Sequence, residues 1–323
     1  MDILVTPPLN DRQKEKLKNA APGHEMIFCE KQDVTSEMLE KAEIILGNLE
    51  SPAQLKTCRN LKWIQLNNAG TEGYCEPGIL PKGAVLANAS GAYGLAISEH
   101  MIGCLFELRK KLHLYGRNQL SHLWQNEGFV EVIEGSRVLV VGLGDIGTEF
   151  GRKMKALGCV VKGIRRHMGD APKWLDGLYP MEELDRLLPE ADVVAFSLPG
   201  NPSTYHVLDE RRIGLLKSSA VILNVGRGTA IDTEALCDAL YRGKIAGAAL
   251  DVTDPEPLPA DHPLWDAPNA VITPHISGGF SLPETLEQIV DLFAQNLCRY
   301  GEGKPLLNEV DLRTGYRVEE NRA

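Results

Sequence analysis

Residues 138–167, VLVVGLGDIGTEFGRKMKALGCVVKGIRRH, constrain the fold of this chain more than any other stretch. An apolar run rich in valine enters a glycine turn, a helical window follows, and a second apolar run begins one helix length later. Such a unit implies two parallel strands joined by a crossover helix, because parallel neighbours cannot be linked by a tight turn. Gly142, Gly144 and Gly147 stand as G-x-G-x-x-G at the strand-to-helix junction. The first permits the tight turn, the second lets a phosphate approach the backbone, and the third brings helix and strand together. With the unpaired amides of a helix N-terminus added, the stretch predicts a dinucleotide-binding turn of Gly142, Gly144, Asp145, Ile146 and Gly147.

The tip of the second strand is where an acidic residue would accept hydrogen bonds from a ribose 2′-hydroxyl. Arg165 and Arg166 occupy it, followed by His167. A carboxylate there repels a 2′-phosphate, whereas a guanidinium pairs with it through two hydrogen bonds. The expected cofactor is therefore NADP(H), with NAD(H) possible if the two arginines are merely solvated.

The same alternation runs along the rest of the chain. Strands are expected at 2–7, 25–29, 43–47, 62–68 and 84–89, with helices at 11–20 and 36–42 between them. One long helix is expected from 96 to 116, and then six strands at 137–142, 160–164, 193–199, 220–226, 246–252 and 270–275. A final helix spans 284–303 and precedes a polar tail. The fold class is α/β: a doubly wound dinucleotide-binding domain, 97–286, inserted into a discontinuous substrate-binding domain, 1–96 plus 287–323.

Bulk properties narrow the function. The 323 residues carry a formal net charge of −10, which disfavours nucleic acid and anionic membrane surfaces as partners. No stretch reaches the roughly 18 apolar residues a bilayer span needs, and the N-terminus lacks the pattern of a secretory leader. Seven scattered cysteines without CxxC spacing read as reduced thiols, and the eight histidines lack metal-ligand spacing. A cytoplasmic protein without a metal is expected.

Three polar residues stand near ends of late strands: Arg227 in ILNVGRGTAID, Glu256 in ALDVTDPEPLP and His275 in VITPHISGG. C-terminal strand ends of a doubly wound sheet converge on the ligand crevice. Reduction of a 2-oxo acid needs a cation for the substrate carboxylate, a proton donor for the carbonyl oxygen, and a partner that keeps that donor charged. Arg227, His275 and Glu256 suit those tasks, while each taken singly suits a turn cap, a structural histidine or a solvated loop residue equally well. Trp124 and Tyr74 either line a pocket or fill a core.

The motifs GLGDIG, SLPGNPSTYHVLD, LLKSSAVILNVGRGTAID, ALDVTDPEP and ITPHISGG together resemble the D-isomer-specific 2-hydroxyacid dehydrogenases over nearly the whole chain. The resemblance implies two Rossmann-like or flavodoxin-like domains and a homodimer built around the nucleotide domain. It implies a catalytic arginine, glutamate and histidine at Arg227, Glu256 and His275, and a helper aspartate at Asp251. Leu198, Pro199 and Val225 join Asp251 on the expected cofactor side. Asn68, Ala69 and Gly70, in the run Asn68-Ala69-Gly70-Thr71-Glu72, resemble the family's loop for the substrate carboxylate. The implied reaction is reduction of a small 2-oxo acid to the D-2-hydroxy acid, of the glyoxylate or hydroxypyruvate reductase kind. A phosphoglycerate dehydrogenase-like enzyme and a non-catalytic, dinucleotide-sensing corepressor-like protein are the alternatives. The sequence departs from the family at Thr253, where an aromatic is frequent, and at Arg165, where NAD-preferring members carry an aspartate.

Overall fold

The computed structural model describes every residue except Met1, His167, Ser281 and 319–323, and of Tyr316 only the backbone. His167, next to the two arginines, thus lies outside the described residues. The chain forms two compact units, Met1–Tyr93 with Leu282–Ala323, and Gly94–Ser281.

The first unit opens with β1 (Asp2–Val5), α1 (Asp11–Ala20), β2 (Glu25–Phe28), α2 (Ser36–Lys41), β3 (Ile44–Leu46), β4 (Trp63–Gln65) and β5 (Val85–Ala87). All five strands are parallel, in the order β2-β1-β3-β4-β5. Ile3, Leu4, Val5, Ile44, Ile45 and Leu46 are buried on both faces, as expected of a sheet covered by helices on either side. Asn10 starts α1 with a capping box: its side chain accepts from Gln13 N while Gln13 Oε1 accepts from Asn10 N.

The second unit contains α3 (Gly94–Arg109), α4 (Leu112–Leu120), β6 (Arg137–Val141), α5 (Asp145–Ala156), β7 (Val160–Ile164), β8 (Gly177–Tyr179), α6 (Leu184–Leu187) and β9 (Val193–Phe196). It continues with α7 (Glu210–Ile213), β10 (Val221–Asn224), α8 (Thr233–Tyr241), β11 (Gly247–Leu250) and β12 (Ala270–Ile272). Its seven parallel strands run β12-β11-β10-β9-β6-β7-β8. The chain winds outward from β6 through β7 and β8, then returns to β9 on the other side of β6. The resulting switch point between β6 and β9 is where a doubly wound sheet leaves a crevice for a ligand.

The chain closes back on the first unit with α9 (Pro283–Gly301) and a small hairpin of β13 (Val310–Asp311) and β14 (Tyr316–Arg317). Helix α9 packs on α1, where Gln13 Nε2 donates to Glu287 Oε1 at 2.8 Å and Lys16 pairs with Asp291. Asn296 is fully buried and uses its amide on Gln65 and on both backbone groups of Leu307.

Three expectations need correction. The helix expected over 96–116 is two helices, because Lys111 adopts φ 57°, a left-handed conformation that ends one and begins the next. Apolar periodicity continues across that residue and so conceals it. The dinucleotide sheet has seven strands, not six: the three-residue β8 pairs with the exposed edge of β7 by backbone hydrogen bonds that its sequence, Gly-Leu-Tyr, does not advertise. Finally, β9 to β12 end two or three residues earlier than their apolar runs, which leaves Leu198, Pro199, Val225, Asp251 and His275 on loops. The seven cysteines are free thiols, as expected. Tyr74 is buried, with its hydroxyl accepting from Leu49 N, whereas Trp124 is fully exposed.

The third glycine of the turn is tightly confined: a Cβ on Gly147 would sit 2.0 Å from the Gly142 carbonyl oxygen and 2.8 Å from Ser197 Oγ. Gly147→Ala is therefore expected to force α5 away from β6 and to cost about 1–3 kcal/mol. Urea unfolding measures this, and an unchanged midpoint would show that the close approach is not required.

Candidate active site

The glycine turn joins β6 to α5. Gly142 takes φ 104°, a conformation that L side chains rarely adopt, and packs against the Ser197 carbonyl. Gly144, the N-cap of α5, is different: a Cβ there would meet nothing within 4 Å. Its backbone faces open space at the mouth of a 12-residue helix whose first amides lack intrahelical partners. Asp145 and Ile146 form the first turn. These residues fit a pyrophosphate, since they offer backbone donors and a helix dipole where no side chain intrudes.

Arg165 follows β7 directly, and its amide donates to the Tyr179 carbonyl at 3.0 Å. That bond ties the arginine backbone to the end of β8 and places Arg165 and the exposed Arg166 at the C-terminal edge of the sheet. On the other side of the switch point, Leu198 and Pro199 follow β9 and Val225 follows β10. Leu198 and Val225 are buried and Pro199 is exposed. Gly226 lets these two loops touch, because a Cβ on it would lie 2.5 Å from the Leu198 carbonyl oxygen.

Arg227 comes next. Its Nη1 donates to Gly226 O at 2.7 Å, and its own carbonyl accepts from Asn224 Nδ2 at 3.0 Å. The following glycine lies directly on the loop after β11: a Cβ on Gly228 would be 1.9 Å from the Thr253 carbonyl oxygen. That contact couples the arginine loop to the segment carrying Glu256.

Glu256 and His275 meet directly, with Oε1 of the glutamate 2.5 Å from Nδ1 of the histidine. Their side chains are 40% and 47% exposed, so the pair is not sealed in the core. His275 is held in left-handed backbone at φ 53°, and its amide donates to the Asp251 carbonyl at 2.8 Å.

Asp251, at the end of β11, is 3% exposed. Its Oδ1 accepts from Thr273 Oγ1 at 2.6 Å and from Ile276 N at 3.0 Å, and its Oδ2 accepts from Ser277 Oγ at 2.5 Å and from Ser277 N at 3.1 Å. Burial pushes the Asp251 carboxyl up, but the hydrogen bonds from Ser277, Thr273 and Ile276 outweigh it and hold the carboxyl below its ordinary value. The expected cofactor-side aspartate therefore spends both carboxylate oxygens on the histidine loop.

Thr273, Ser277 and His100, which contacts Thr273 at 3.2 Å, were not singled out from the sequence. A signal for Thr273 exists, since it stands two residues before His275 in the run that leaves the strand. Asn68, Ala69 and Gly70 follow β4 in the other unit. There Asn88 Nδ2 donates to Ala69 O at 2.8 Å, and Asn68 O accepts from Ala89 N at 2.8 Å. Among the described residues no group of three or more His, Cys, Asp or Glu side chains has the geometry of a metal site, and no helix is long and apolar enough to cross a membrane.

Comparison with known proteins bears on this arrangement. The family model described as "D-isomer specific 2-hydroxyacid dehydrogenase, NAD binding domain" matches residues 102–277. A hydroxypyruvate reductase of Blautia hydrogenotrophica is 31% identical over 260 residues, 77% of this chain and 78% of that protein. The crystal structure of a D-isomer specific 2-hydroxyacid dehydrogenase family protein from Aeromonas salmonicida superposes with a TM-score of 0.85 at 32% identity, covering 96% of this chain and 99% of that one. A family structure from Xanthobacter autotrophicus, in complex with NADPH and MES, gives 0.81 at 26% identity over 98% and 99% of the two chains. Neither the phosphoglycerate dehydrogenase-like nor the corepressor-like alternative is favoured by these likenesses. With its glycine turn, its doubly wound sheet and its paired glutamate and histidine, the chain belongs to the D-isomer-specific 2-hydroxyacid dehydrogenases, a family of oxidoreductases.

Proposed function

We propose that the protein reduces a small 2-oxo acid of the glyoxylate or hydroxypyruvate kind to the D-2-hydroxy acid, with NADPH preferred over NADH. The observation that carries this reading is the 2.5 Å contact between Glu256 and His275, at the same edge of the parallel sheet as the glycine turn. A nicotinamide bound there supplies the hydride. Glu256 accepts a hydrogen bond from the Nδ1–H of His275, which leaves Nε2 to deliver a proton to the substrate oxygen. Arg227 binds the substrate carboxylate through its planar fork. Asn68, Ala69 and Gly70 are assigned to the same carboxylate on the strength of the family resemblance.

The cofactor preference rests on Arg165 and Arg166, and the NADPH found in the Xanthobacter autotrophicus relative supports it. The substrate class is supported by the likeness to a hydroxypyruvate reductase. A cytoplasmic homodimer belongs to the same proposal.

His275→Gln removes the proton donor and is expected to lower kcat for hydroxypyruvate by about 10²- to 10⁴-fold, with NADPH affinity unchanged by fluorescence titration. Near-normal turnover would overturn the assignment. Arg165→Asp is expected to shift the NADPH-to-NADH ratio of kcat/KM toward NADH by about tenfold or more, the worth of one charge-assisted bond to a 2′-phosphate. An unmoved ratio would place the specificity elsewhere.

The anchoring role of Asp251 carries a pH dependence. Its folded carboxyl lies below the unfolded value of about 3.9, so its stabilisation is fully present above that value and is lost as pH falls through the lower, folded one. Asp251→Asn is therefore expected to cost about 1–3 kcal/mol at neutral pH and to make the unfolding free energy less dependent on pH only below about pH 4. Chemical unfolding measured across pH 2.5–7 tests both parts.

A further inference from the structure

We propose that His100 is a positioning residue for His275, acting through Thr273 and Asp251. This rests on the reading of His275 as the proton donor. His100 lies on α3, one turn before Cys104, and its Nε2 is 3.2 Å from Thr273 Oγ1, 3.5 Å from Cys104 Sγ and 4.0 Å from Asp251 Oδ1.

The direction of these bonds follows from proton counting. A hydroxyl has one proton, and Thr273 donates its proton to the ionised Asp251 at 2.6 Å, because a carboxylate can only accept. The contact between His100 and Thr273 is then attractive only if Nε2 carries hydrogen and donates to a lone pair of Oγ1. The competing arrangement, a bare Nε2 accepting from the Cys104 thiol, would set two lone pairs against each other at 3.2 Å. Burial pushes the Cys104 thiol up to about 11, so the sulfur stays neutral at pH 7 and does not compete as a charged acceptor.

The chain therefore runs in one direction. His100 Nε2 donates to Thr273, Thr273 donates to Asp251 Oδ1, and Asp251 also holds the amides of Ile276 and Ser277 and the Ser277 hydroxyl. Those groups flank His275, whose amide is bonded to the Asp251 carbonyl and whose left-handed backbone needs outside support. Without the donor on His100, the Thr273 hydroxyl keeps its bond to Asp251 but loses the partner that holds its oxygen from the other side, so one of the four bonds that fix the loop is less firmly placed. Helix α3 thereby sets the aim of the His275 ring.

Two substitutions isolate the effect. His100→Ala removes the donor, and His100→Gln replaces it, because the glutamine amide nitrogen reaches about as far as Nε2. We expect His100→Ala to lower kcat for hydroxypyruvate with NADPH by about tenfold, with KM for both substrates little changed, as a misaimed donor should. His100→Gln should restore most of that loss. Thr273→Val should reproduce the His100→Ala loss, and the double variant should be no slower than Thr273→Val alone. A structural role for His100 would show itself instead as parallel losses in both position-100 variants, together with additive loss in the double variant.

The imidazole ¹⁵N spectrum of the cofactor-free protein adds a readout independent of activity. His100 should appear as the Nε2–H tautomer, and the other tautomer would overturn the proposal whatever the kinetics show. If His275→Gln is inactive while both His100 variants turn over like the parent, the positioning role falls and the proposed function stands. If His275→Gln remains active, the proposed function falls and the tautomer still decides the bond chain.

Discussion

A carboxylate removed from water must regain hydrogen bonds to offset its lost hydration, and Asp251 regains four, from three residues that all lie on the strand end and loop around His275. These four bonds tie the loop to the end of β11. That constraint places a histidine in left-handed backbone and presents it to Glu256 at hydrogen-bond distance. The chemistry assigned to the pair is thus a consequence of burying a charge next to it.

The parallel sheet decides where everything else goes. Every strand of the second unit ends at the same edge, so the glycine turn after β6, Arg165 after β7, Leu198 after β9, Arg227 after β10, Asp251 after β11 and His275 after β12 share that edge. Glycines then remove the distance between successive loops. Gly226 lies on Leu198, and Gly228 lies on Thr253, at separations that no side chain would tolerate. Gly144 works in the opposite sense, leaving its backbone open for a ligand rather than for a neighbouring loop.

The departure from the family at Thr253 has a local structural account. Its hydroxyl donates to the Pro255 carbonyl at 2.9 Å, so the loop leading to Glu256 is braced by an internal hydrogen bond. The backbone of the same residue receives Gly228. One small polar residue therefore serves two adjacent loops, those bearing Arg227 and Glu256.

Much of the architecture was legible along the chain, because valine-rich strands, amphipathic helices and a glycine turn are written in neighbouring residues and answer to local physics. Alternation alone determined two parallel α/β sheets, and the order strand, Gly142, Gly144, Gly147, helix determined the turn. Lys111 and β8 escaped that reading: a single left-handed residue does not disturb apolar spacing, and an edge strand is made by the partner it pairs with. The pairing of Glu256 with His275 was expected from residue types, but the distance between them, the loop contact at Gly228 and the bonds around Asp251 belong to tertiary structure alone. They join groups 19 to 26 residues apart, and the amides of Ile276 and Ser277 that meet Asp251 carry no signature in the sequence, since every residue but proline has such an amide and only folding decides which carboxylate it meets.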